Sequence, residues 1–179
     1  MSAAGNYIPP MFIFARTQVN PSLEKVGPSR ALYTCSKNGQ TNETLFLKWL
    51  QHLVSFSCPT PETPILLILD SHFSHCTLTA YAFCKMNSIV MMSVSPHTFH
   101  NTQPLEVSFL GPLKIAFSME SLTYLNLNKL KYLRLEDFAA LFEKAYGGVA
   151  TVGNAVSAFK ATGIFPFNAS VFSDLECYN

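Results

Sequence analysis

Apolar positions along this chain follow two rhythms, and each predicts a different kind of element. Ile65 to Leu69 reads ILLIL, and Ile89 to Val94 reads IVMMSV. Runs this short and this continuous suit strands buried on both faces. Between them, Leu78 to Met86 is spaced as a short helix, with Thr77 or Thr79 near its start and Asn87 at its end. Strand, helix and strand in that order predict a parallel βαβ unit. The other rhythm is helical. Leu45, Trp49 and Leu53 recur every fourth residue within Thr41 to Phe56, where Thr41 or Asn42 can cap the start and Pro59 and Pro61 end the pattern.

Downstream the helical rhythm returns three times. Phe109, Leu113 and Phe117 mark one face, with Pro112 expected to kink the helix or delay its start and Asn126 to Lys131 to break it. Leu135 to Ala145 predicts a second helix, opened by Glu136 and Asp137 and closed by Gly147 and Gly148. Thr151 predicts the cap of a third, bearing Val152, Val156 and Phe159 and ending at Gly163. The N-terminal part is less regular. YIPPMFIF, Tyr7 to Phe14, is extended because Pro9 and Pro10 forbid helix, and it reads as the end of a hairpin whose first strand is mostly absent. Thr17 to Gly39 is dotted with proline, glycine, serine and asparagine and predicts a loop.

Composition narrows the class. With 179 residues, 49% hydrophobic and 13% charged, the chain has material for one cored domain, which excludes general disorder. No apolar run is long enough for a membrane span, and the first residues lack the pattern of a signal peptide. Cys35, Cys58, Cys76, Cys84 and Cys177 are odd in number and form no CxxC, so a reduced, intracellular setting is expected, with Cys76 and Cys84 as buried packing residues. A net charge of +1 is too small to hold a nucleic-acid backbone tightly by charge alone.

The candidate chemistry gathers around two acids. Asp70 ends the first buried strand, and Glu106 stands in a polar loop just before the next apolar run. Ligands collect at the carboxyl ends of parallel strands, so two carboxylates there can share a hard divalent cation. Two such cations can activate a nucleophile and stabilise a leaving oxygen. His72 with His75, and His97 with His100, form two HxxH pairs. One reading is a zinc or iron site, which leads to a histidine-based metal hydrolase. The other, preferred here, is that these histidines hydrogen-bond the loops bordering the acids.

Taken together, LLILDSHFSH, IVMMSVSPHTFHNTQPLEVSFLGPLK and FKATGIFPFN resemble the DDE superfamily endonuclease domain of pogo/Tigger-like transposases, the group that includes the Jerky and centromere protein B relatives. The resemblance covers roughly Ala3 to Phe172. It implies an α/β, RNase H-like fold and metal-dependent cutting and joining of DNA in the nucleus, with Mg²⁺ or Mn²⁺ held by three acids. Asp70 matches the second acid and Glu106 the third, where relatives usually carry Asp. His72, His75, His97, His100 and Gln103 match polar positions bordering the site. The first acid of the family lies on a strand ahead of the matched region. The expectation is therefore a partial, N-terminally truncated DDE domain over residues 1–175 with a tail at 176–179, inactive by itself. A domesticated, non-catalytic nucleic-acid- or protein-binding module is the other expectation that this resemblance leaves open.

Overall fold

The computed structural model describes residues 1–19, 27–94 and 102–172. Two compact units make up the chain, Ile8–His97 and a second formed by Met1–Tyr7 with Thr98–Asn179. Each is described by itself.

The first unit holds two small parallel sheets. Strand β1 (Met11–Ala15) pairs with β2 (Leu32–Ser36), Met11 opposite Leu32 and Ala15 opposite Ser36. This corrects one expectation: the segment expected to be all loop contains a strand. LYTCS has aromatic and β-branched residues, and its pairing is secured across the sheet, where Tyr33 stacks on Phe12 at 5.1 Å. Helix α1 (Glu43–Ser57) follows, capped by Asn42, whose side chain accepts from Leu45 N–H at 2.9 Å.

The βαβ unit then appears as the apolar pattern predicts. Strand β3 (Ile65–Leu69), helix α2 (Leu78–Met86) and strand β4 (Ile89–Ser93) run in order, and β3 pairs in parallel with β4 from Ile65–Ile89 to Leu69–Ser93. Thr77 caps α2 by accepting from Ala80 N–H. Phe46, Leu50 and Leu53 of α1 and Ala80 and Cys84 of α2 form a core with Ile89, against which Ile65, Leu67, Leu69 and Met91 pack. Both helices therefore cover the same face of the sheet. The opposite face leaves Leu66 56%, Val90 59% and Met92 47% exposed, so the expected burial of both faces is not met. Cys84 is buried as expected, but Cys76 is exposed because it sits in the turn before α2 and outside its inner face.

The second unit is helical: α3 (Pro104–Ser108), α4 (Leu110–Leu127), α5 (Leu135–Val149), α6 (Val152–Ala161) and a 3-10 turn at Ala169–Phe172. Pro112 falls in the first turn of α4, where its missing N–H costs no hydrogen bond, so α4 is separated from α3 at Phe109. Gly147 and Gly148 lie inside α5, which continues to Val149; they were expected to end it. Each glycine costs a helix roughly 0.5–1 kcal/mol, which burial of Leu141, Ala145 and Val149 along that helix offsets. Gly163 does end α6's turn as expected, at φ +65°, where a Cβ would meet the carbonyl oxygen of Asn168.

Candidate metal-binding carboxylates

Asp70 is the first residue after β3, at the carboxyl end of the parallel pair. Two serines tie this end of the sheet together. Ser71 Oγ donates to the Val94 carbonyl at 2.7 Å and lies 2.8 Å from Ser93 Oγ, while Val94 N–H donates to Leu69 O at 2.9 Å. The chain then closes a tight turn, with His75 N–H donating to the His72 carbonyl at 2.9 Å.

Within that turn the Asp70 carboxylate is used on one side. Oδ1 accepts from His72 N–H at 3.2 Å and lies 2.7 Å from His75 Nδ1, an ion-pair distance that is not aligned as a hydrogen bond. Oδ2 makes no hydrogen bond among the described residues. His72 Nδ1 is 2.7 Å from Ser74 Oγ, and Ser74 N–H reaches the same nitrogen at 3.4 Å. Ser74 is fully buried, and the His75 ring rests against Phe46 of α1 with ring centres 4.3 Å apart. Sequence reasoning missed Ser71, Ser74 and Phe46 as parts of this arrangement. The small-polar spacing of DSHFSH was the available signal for the two serines; nothing local pointed to Phe46.

Glu106 sits in the first turn of α3, where a loop was expected, and it is exposed. Gln103 occupies the N-cap position without a side-chain capping bond, and Pro104 at the first helical position is buried. Among the described residues the Glu106 carboxylate has no hydrogen-bond partner. What holds α3 is Phe109 at its end, 5.5 Å from the Tyr7 ring and 5.9 Å from Tyr146. Tyr7 in turn donates from its hydroxyl to the Thr151 carbonyl at 3.1 Å. Desolvation pushes the Tyr146 phenol up to about 12, with the neighbouring Tyr7 adding to the shift.

His97 and His100 lie outside the described residues. Asp70 belongs to the first unit and Glu106 to the second. Among the described residues no group of three or more histidine, cysteine or acidic side chains is placed to hold a metal ion. At each acid taken separately the donor chemistry suits a hard cation: Asp70 has a carboxylate oxygen without a hydrogen bond among the described residues, and Glu106 has a solvent-facing carboxylate. Magnesium needs only one or two protein carboxylates because it keeps several waters.

Comparison with known proteins adds to this geometry. The chain is 29% identical over 173 residues to a protein of Cochliobolus lunatus called MFS-type transporter clz9. That match takes in 96% of this chain and 19% of the relative, so the chain spans about a fifth of the relative's length. No helix among the described residues is long and apolar enough to cross a membrane. No solved structure matches. The family model described as DDE superfamily endonuclease matches residues 1–150. That match contains both strand pairs, the Asp70 turn and the Glu106 helix, and the chain belongs to the DDE superfamily endonuclease family.

Proposed function

We propose that the chain is part of a transposase-derived nuclease of RNase H-like fold, of the pogo/Tigger kind. Asp70 and Glu106 contribute to holding Mg²⁺ or Mn²⁺ for phosphoryl transfer on DNA in the nucleus. Residues 1–175 then belong to one catalytic domain. The observation that carries this reading is Asp70 at the carboxyl end of β3 in a parallel βαβ unit, within a chain of an endonuclease family.

The chain's own residues have distinct tasks in it. The Ser71 bridge to β4 fixes where Asp70 leaves the sheet. The His72 N–H holds one carboxylate oxygen and leaves the other for a ligand. Glu106 adds negative charge from the first turn of α3, a position its helix favours. A cation bound there supplies charge neutralisation at a phosphate and a more acidic attacking water or hydroxyl.

One observation favours a second reading. A histidine that ligates a metal commonly presents its other ring nitrogen to a carboxylate, and His75 has Asp70 at that nitrogen. A histidine-based metal hydrolase uses that arrangement.

The test is nicking of supercoiled DNA with Mg²⁺ or Mn²⁺. A polypeptide that carries an Asp-bearing strand ahead of residue 1 is expected to nick, and Asp70→Ala and Glu106→Ala are each expected to abolish this. Absence of nicking by that polypeptide overturns the nuclease reading.

A further inference from the structure

We propose that His75 is a positioning residue whose Nδ1–H holds Oδ1 of Asp70, so that the carboxylate offers Oδ2 alone to a divalent cation. This rests on the reading of Asp70 as a metal ligand.

The argument starts from the nitrogen. His75 Nδ1 is buried and has no aligned hydrogen-bond partner, yet it lies 2.7 Å from Asp70 Oδ1. Two acceptor lone pairs at that distance repel, while an N–H facing a carboxylate oxygen attracts, and buried donors that lack a partner are costly. The proton therefore belongs on Nδ1. The ring cannot easily turn away, because it is packed on Phe46 and its side chain is 17% exposed against 42% for Asp70.

His72, three residues earlier, is assigned the other way. Ser74 N–H points at its Nδ1, so that nitrogen accepts and the proton sits on Nε2. The two histidines of one turn are thus in opposite tautomers. His72 gives the carboxylate only its backbone N–H, and His75 gives it a side-chain donor. The His72 N–H bonds Oδ1, and His75 Nδ1 lies 2.7 Å from the same oxygen. Oδ2 is left without a hydrogen bond among the described residues, which makes Asp70 a one-oxygen ligand of fixed orientation. Partners of this kind, acting through a ligand, change metal affinity by roughly 10–100-fold when removed.

Asparagine reproduces the Nδ1–H of histidine but has no equivalent of Nε2. Glutamine reaches the position of Nε2 and leaves that of Nδ1 empty. His75→Asn should then keep Mn²⁺ affinity within about threefold, and His75→Gln should lose roughly tenfold or more by the same reasoning. Binding is read from the electron paramagnetic resonance of free Mn²⁺, with circular dichroism confirming that both variants are folded. On the metal-free chain, nitrogen-15 correlation of the imidazoles at about pH 8, above the ordinary histidine range, should show hydrogen on Nδ1 of His75 and on Nε2 of His72. An unprotonated His75 Nδ1 overturns the inference. Mn²⁺ binding by the unmodified chain that His75→Gln leaves unchanged also overturns it, without touching the metal reading. Loss of binding in both His75 variants overturns it in favour of His75 as a ligand. No Mn²⁺ binding by the unmodified chain removes the metal reading of Asp70 and this inference with it.

Discussion

Asp70 and Glu106 are presented by opposite means. Asp70 leaves a strand whose end is tied to its neighbour by a serine bridge, and one of its oxygens faces a backbone N–H and a packed imidazole. Glu106 rides on a five-residue helix, exposed, with no hydrogen-bond partner among the described residues. The first carboxylate is oriented by its surroundings; the second is positioned only through the backbone of α3 and the burial of Phe109. The difference teaches that two acids in one motif need not be equally preorganised. Glu106 stands where no side-chain hydrogen bond or ion pair among the described residues directs it.

Stability is the bluntest way to break the contrast. Phe46 is 5% exposed and supports both the core and the His75 ring. Phe46→Ala should cost about 3–5 kcal/mol in denaturant unfolding. Leu105→Ala, beside Glu106 and 41% exposed, should change stability by no more than about 0.5 kcal/mol. Comparable losses would mean that the α3 turn is as firmly built as the Asp70 turn.

At the acids themselves the expected gap is smaller. Asp70→Ala leaves the His72 N–H and the His75 imidazole facing nothing, which should destabilise by about 1 kcal/mol given that the carboxylate is partly in water. Glu106→Ala should fall within about 0.5 kcal/mol, as for other exposed positions. Equal effects in the same unfolding measurement would erase the distinction.

The smallest effect lies within the second unit, where Glu106 contrasts with Asp137 of α5. The Asp137 side chain is 10% exposed and accepts from the Tyr124 hydroxyl at 2.8 Å and from Arg134 N–H and Nε. Burial is the largest single influence and pushes this carboxyl up, but the hydrogen bonds from Arg134 and Tyr124 together outweigh it and hold it below the usual carboxylate range. A depressed folded value means that the stabilisation is fully present above about pH 4, the unfolded value, and is lost as pH falls through the folded one. Melting temperature should drop on acidification from pH 4 downward, and Asp137→Asn should flatten that decline. An unchanged acid slope in Asp137→Asn would contradict the assignment.

Much of the first unit was legible in the sequence. The bounds of β3 and α2 follow directly from the apolar runs and the Thr77 cap, because those signals are local. Strand β2 was hidden among turn-forming residues, since its pairing with β1 depends on a partner about twenty residues away. Gly147 and Gly148 read as a helix end because propensity is local, whereas the burial that carries α5 past them is tertiary. The exposed face of β3 and β4 could not be read either: continuity of apolar residues says that both faces are apolar, not where the helices pack. At the site, the residue types around Asp70 were visible, but the division of labour between His72 and His75 was not. Both are histidines in one HxxH, and the turn geometry alone decides which nitrogen meets which oxygen.

The central claim of the proposal is that Asp70 holds a divalent cation. Titration of Mn²⁺ against the chain and against Asp70→Asn tests it most directly. The account predicts binding by the unmodified chain and a loss of roughly tenfold or more in Asp70→Asn. Binding that Asp70→Asn leaves unchanged would contradict it.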